Sequence, residues 1–298
     1  MVEKVSALIS SFMASMGEES VNALYEKVPQ GKMLRAKLIL EIAKSSKEAP
    51  KLAAVVEMIH AASLLHDDVI DEADIRRGAQ SFNAECGDKS AIMMGDILYS
   101  NAFAKLTEFS SDIAKCVANA VSLLSEGELL DVELSKSFNA DKEKYFKMIY
   151  GKTASLIEAS AKSAALLEGL DADDFALYGK NLGLAFQIID DVLDVTSTSS
   201  MLGKPALNDF KEGKVTLPYL YTYDKCSDKE KKHLQSLHKK SLNSDEIGWI
   251  RQKMDDAKAI KHSIDEAKRL GNEALKAIKK YNNKNLENII TQMIERDF

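Results

Sequence analysis

At 298 residues, 45% hydrophobic and 29% charged, the chain can bury a sizeable core, and its net charge of −6 excludes a nucleic-acid binder that works through bulk charge. No run of about 18 apolar residues occurs, so no membrane span is expected. Cys86, Cys116 and Cys226 show no CxxC spacing, which argues against a zinc site or disulfide framework and fits a reducing, cytoplasmic setting.

Taken in chain order, the sequence reads as an all-α protein of many long helices in a single domain over 1–298. The opening MVEKVSALISSFMASMGEES has an apolar face but no cleavage signature, so it reads as a first amphipathic helix rather than a signal peptide. Breaks are expected near Gly31, around Pro50, from Gly78 to Gly87, at Ser110 and Ser111, and at Asp141. Lys51 to Lys204 contains no proline and is rich in helix formers. Apolar residues recur with helical period in LAAVVEMIHAASLL and LGLAFQIIDDVLDV. Hairpin signals of the Asn-Gly or Asp-Gly type are absent. The polar segment from Thr196 to Lys214 reads as a long loop, and such loops are often functional. Helix returns after Leu217, and the charged stretch from Lys225 to Lys240 reads as a solvated face.

One short pattern occurs twice. DDVID (Asp67, Asp68, Asp71) is echoed by DDVLD (Asp190, Asp191, Asp194), each after an apolar run. In each, two carboxylates four apart share a helix face, with a third acid beside them. A single copy is more simply a solvated acidic turn. Two copies in apolar helices are costly without compensation. All-oxygen donors suit Mg²⁺, which is held by one or two carboxylates together with substrate phosphates and water. A phosphorylated substrate is therefore expected. Basic residues at short spacings could receive it: Lys32 and Arg35 in QGKMLRAKL, Arg76 and Arg77 in DEADIRRG, Lys152 beside Thr153 in GKTASL, and Lys204 and Lys214 in the loop. Arg76 and Arg77 could equally be salt-bridge partners of the neighbouring acids. His60 closes a Glu-x-x-His in an apolar helix, the spacing of di-iron bundles; the same spacing recurs at Glu230 and His233, but inside the charged stretch read as a solvated face.

These segments, in order, resemble the trans-isoprenyl diphosphate synthases, specifically the medium- to long-chain, octaprenyl-like members. The resemblance is carried by GKMLR, IHAASLLHDDVIDEADIRRG, GDILYSNAF, GKTASL, FQIIDDVLD and GKPALNDFKEGKVTLP. It implies an isoprenoid synthase fold, a helical bundle around a deep cavity, as a homodimer. It implies condensation of isopentenyl diphosphate with an allylic diphosphate such as farnesyl or geranylgeranyl diphosphate. It places Lys32, Arg35, His60 and Arg77 on isopentenyl diphosphate. It places Arg76, Lys152, Thr153, Gln187, Lys204 and Lys214 on the allylic diphosphate. Asp67, Asp71 and Asp190 are the implied principal Mg²⁺ ligands, with Asp68, Asp191 and Asp194 secondary and about three ions per site when substrate is bound. The polar loop would act as a lid. The family's usual GKRLRP reads GKMLRA here, so Met33 and Ala36 put isopentenyl diphosphate affinity in question.

The helix bearing DDVID also offers a ruler, because one turn rises about 5.4 Å, close to one isoprene unit. Short-chain family members close the cavity with bulky aromatics just before the motif. Here Ala62 and Ser63 are small, with Ile59 a turn below, which favours a product longer than farnesyl. Rival classes are a terpene cyclase, a non-catalytic partner subunit and a di-metal redox protein. The second basic site, the two intact acidic motifs and the lack of a second Glu-x-x-His in an apolar helix argue against each in turn. A long product would draw the enzyme to the membrane surface, and a quinone side chain is its destination by family analogy.

Overall fold

The computed structural model describes residues 2–76, 78–196 and 207–294. Arg77 and Lys204, both expected at a diphosphate, lie outside them. The chain divides into two compact units, Met1–Ser122 with Leu156–Gly179, and Leu123–Ser155 with Lys180–Phe298.

In the first unit, helices α1 (Val2–Ala14), α2 (Glu19–Tyr25), α3 (Leu34–Ile42), α4 (Ala49–Ile70), α5 (Phe82–Cys86) and α6 (Asp88–Leu106) follow one another. α4 is the centre, packed by α1, α3 and α6. Every residue from Leu52 to Ile59 is buried, so this stretch is enclosed on all sides rather than amphipathic. Pro50 lies in its first turn, where a missing N–H is harmless. The helix stops at Asp71, and Glu72 turns left-handed at φ 49°. A two-residue antiparallel ribbon follows, Ile75–Arg76 against Ala79–Gln80. The sequence reading contains no strand. The ribbon exists because Gly78, at φ 77°, closes a turn that other residues resist.

The second unit takes up α7 (Ser111–Leu134) from Leu123 onward, then α8 (Lys142–Ile149) and a π-helical turn, Tyr150–Ala154. After α9 (Ser155–Glu168), helix α10 (Ala172–Thr196) lies in this unit from Lys180. Five longer helices follow: Leu217–Lys225, Asp228–Leu237, Ser244–Asp256, Ala259–Ile278 and Lys284–Ile294. Asp141 caps α8 through the N–H groups of Glu143 and Lys144. Ser227 with Glu230, and Asn243 with Glu246, form capping boxes. The core gathers Tyr145, Ile188, Ile189, Phe210, Tyr219 and Leu220, with Phe210 and Tyr219 stacked at 4.4 Å.

Expected breaks fall just before Pro50, at residues 43–48, and at Gly87, Ser110 and Asp141. An additional one occurs at residues 169–171. Part of the segment read as a loop is ordered as a short helix, Asn208–Glu212. Among the described residues, no helix is long and apolar enough to cross a membrane.

Candidate active site

In the first unit, Asp67, Asp68 and Asp71 occupy the last turn and C-cap of α4. This is the negative end of the helix dipole, where basic residues are favoured, and the last turn carries none. Asp68 is 3% exposed, and Arg76 Nε donates to its Oδ1 at 2.5 Å. Its backbone oxygen accepts from Asn83 Nδ2 at 3.3 Å. The middle acid thus ties the ribbon to the helix end, while Asp67 is half-buried and Asp71 exposed.

Lys32 is exposed at the entry to α3, whereas Arg35 is 8% exposed. Burial pushes the Arg35 guanidinium below its ordinary pKa, and Glu57 opposes that shift. Arg35 Nε has no hydrogen-bond partner among the described residues. Met33 holds a left-handed φ of 50° and is buried, its thioether accepting from Ser6 Oγ at 3.7 Å. An apolar side chain suits that position. His60 borders a cavity of about 50 Å³ with Gln30, Gly31, Met33 and Glu57. A neighbouring cavity of about 180 Å³ shares Gln30, Ala61 and Leu64. Its walls are apolar at Val28, Pro29 and Leu65, and polar at Asp68, Arg76 and Gln80. Neither is bordered by Ile59, Ala62 or Ser63, which are all buried within α4. Ser63 Oγ donates to the His60 carbonyl at 2.9 Å.

In the second unit, Asp190, Asp191 and Asp194 lie near the C-terminal end of α10, again with no basic residue in the last turn. Asp191 is 3% exposed and accepts from Tyr145 Oη at 2.6 Å and Gln187 Nε2 at 2.9 Å. Thr153 Oγ1 in turn donates to Gln187 Oε1 at 2.7 Å. Thr153, Gln187, Asp191 and Tyr145 therefore form one buried chain of hydrogen bonds. Burial, with Asp209 and Asp190 adding repulsion, holds the Asp191 carboxyl well above its usual range. Burial and Asp209 push Asp194 up to about 8, against the N–H groups of Asp209 and Asn208. Carboxylates crowded to this degree are what a cation relieves.

Lys152 and Thr153 sit on the π turn, a distortion common at functional sites. Lys152 Nζ donates to Glu128 Oε1 at 2.9 Å and Asp131 Oδ2 at 2.8 Å. Lys214 Nζ reaches Glu212 Oε2 at 2.8 Å. The sequence reading missed Glu128, Asp131, Tyr145 and Asp209. Glu128 and Asp131 are three apart in EGELLD, a detectable spacing, whereas Tyr145 carries no local signal.

Within each unit the donors suit Mg²⁺: hard carboxylate oxygens near a helix end of negative polarity. Among the described residues, no group of three or more His, Cys, Asp or Glu side chains is gathered as a metal cage. A Mg²⁺ site needs only one or two carboxylates, completed by water and phosphate.

Residues 18–254 match the family model described as polyprenyl synthetase. A solanesyl diphosphate synthase of Oryza sativa is 45% identical over 177 residues, 58% of this chain and 41% of that protein. The chain thus spans less than half the length of that relative. The octaprenyl pyrophosphate synthase structure from Helicobacter pylori superposes with a TM-score of 0.93 at 41% identity, covering 99% of this chain and 98% of that one. A polyprenyl synthase from Caulobacter crescentus, complexed with calcium and isoprenyl diphosphate, gives 0.90 at 30% identity, covering 100% and 95%.

Proposed function

The chain belongs to the polyprenyl synthetase family, and from that premise we propose that it is a Mg²⁺-dependent prenyltransferase. It condenses isopentenyl diphosphate with an allylic diphosphate, such as farnesyl or geranylgeranyl diphosphate, to make a medium- to long-chain all-trans polyprenyl diphosphate. The observation that carries this reading is the placing of both acidic motifs at helix C-termini that lack any basic residue in their last turns.

Asp67, Asp71 and Asp190 would hold Mg²⁺, backed by Asp68, Asp191 and Asp194. Bound Mg²⁺ supplies positive charge for the negative charge that grows on the leaving diphosphate. Lys152, Lys214, Arg76 and Lys204 bind the allylic diphosphate, and Thr153 and Gln187 hydrogen-bond around it. Lys32, Arg35, His60 and Arg77 bind isopentenyl diphosphate. His60 borders the cavity of about 50 Å³ beside Gln30, Gly31 and Met33, at the entry to the helix that carries Arg35, and this supports its place in that set. The allylic C–O bond breaks with its electron pair leaving on the diphosphate. The isopentenyl double bond attacks the allylic carbon, forming the new C–C bond. A proton then leaves to the released diphosphate and a double bond re-forms. Exclusion of water protects the cation between these steps.

Small residues at Ala62 and Ser63, above Ile59, support a long product. Exposed Ile92 and Met93 on α6 support a homodimer, since adjacent apolar side chains in water favour burial against a partner. Free Cys86, Cys116 and Cys226 support a cytoplasmic setting. Both units act as one synthase domain over 1–298. The test is incubation of the protein with labelled isopentenyl diphosphate, Mg²⁺ and each allylic primer, with products resolved by length. Incorporation into chains beyond farnesyl is expected, and no incorporation with any primer would overturn the assignment.

A further inference from the structure

Glu57 lies in the enclosed middle of α4, one turn before His60, and the chemistry above gives it no role. A buried carboxylate is costly unless it is paired. Its Oε1 accepts the Ala36 N–H at 2.8 Å, and the Arg35 N–H also bonds to the carboxylate. Both N–H groups belong to the first turn of α3. That helix begins at left-handed Met33, which offers no side-chain cap. Glu57 is therefore the missing cap, supplied from a different helix. It is also the charge that counters the burial of the Arg35 guanidinium. Glu57, Met33 and His60 border the same cavity of about 50 Å³. Ala36 makes its part of the arrangement possible, because a proline there would have no N–H to give.

We propose that Glu57 is a positioning residue for isopentenyl diphosphate: it pins the first turn of α3 and balances Arg35, so that Arg35 and Lys32 are held for the diphosphate. This rests on the assignment of Arg35 and Lys32 to that substrate. It also removes Glu57 from any di-metal role, since its carboxylate belongs to α3.

The test is Glu57→Gln, which keeps an acceptor for Ala36 but removes the charge. Arg35→Gln and the double variant are measured beside it. Glu57→Gln should raise the isopentenyl diphosphate KM about tenfold, with kcat within about threefold and the allylic KM unchanged. The double variant should be no worse than Arg35→Gln alone, because residues that act through one another are non-additive. If Arg35→Gln raises that KM and Glu57→Gln does not, the positioning role is overturned while the substrate assignment stands. If Arg35→Gln leaves it unchanged, the assignment itself fails and takes the proposal with it. An equal rise in both KM values with a fall in kcat marks a merely structural residue and also overturns it. Should Glu57→Gln not fold, Glu57→Asp, which keeps the charge but falls short of Ala36, is judged by the same split.

Discussion

Gly127 and Gly151 meet with no side chain between them: a Cβ on Gly151 would lie 2.8 Å from the Gly127 Cα and 2.8 Å from the Leu123 carbonyl. This close approach brings Lys152 onto Glu128 and Asp131. Gly151→Ala must push the backbones apart. Overpacking of this kind costs about 1–3 kcal/mol, read as a lower urea midpoint. The allylic KM should rise as well, because Lys152 loses its footing. A variant with unaltered melting and unaltered KM would show the contact to be dispensable.

Asp67→Ala or Asp190→Ala should lose most turnover, on the order of 10²–10³-fold in kcat, the scale of removing an electrostatic stabiliser. Steady-state incorporation of labelled isopentenyl diphosphate measures it, with circular dichroism to confirm folding. Unchanged turnover in either variant would sink their assignment as metal ligands.

Lys32→Ala should behave differently. The side chain is exposed and is assigned to binding rather than to the departing group. Loss of uniform binding raises KM without lowering kcat. A rise of about tenfold, some 1.4 kcal/mol, in the isopentenyl diphosphate KM is expected, with the allylic KM unmoved.

Ser63→Phe should shorten the product. Ser63 is 6% exposed and its hydroxyl bonds only within its own helix, so the change adds bulk without stranding a buried partner. Some stability will be lost, about 1–3 kcal/mol. Chromatography of the extracted products gives the readout, and an unchanged length distribution would refute the ruler.

The helical fold and the acidic motifs were legible because both are local. A proline-free run of helix formers marks α4 although its middle is enclosed on all sides, apolar residues at helical spacing mark α10, and paired aspartates stand out against apolar neighbours. What escaped detection depends on partners remote in sequence. Glu57 looks like half of a Glu-x-x-His until Ala36 and Arg35 are seen against it. For Arg76 the sequence leaves open a phosphate receptor or a salt-bridge partner, and in the structure its Nε donates to Asp68. Spacing sets the middle acids Asp68 and Asp191 apart from the i, i+4 pairs, but nothing local shows that each is buried and held by protein donors. The π turn leaves no compositional mark, and neither does the crossing of two glycines on different helices.

The π turn carries a consequence of its own. A wider turn accommodates one residue more than α-helical winding would, so Tyr150–Ala154 carries a surplus residue within a continuous run of helix. Deleting one residue there would let ordinary winding resume. Each residue of an α-helix advances about 100°, so Thr153 would swing away from Gln187 and Lys152 from Glu128 while the flanking helices kept their faces. The surplus residue thus sets the angular phase of the two functional side chains, and a one-codon deletion would break their contacts while every residue that makes them remained in the chain.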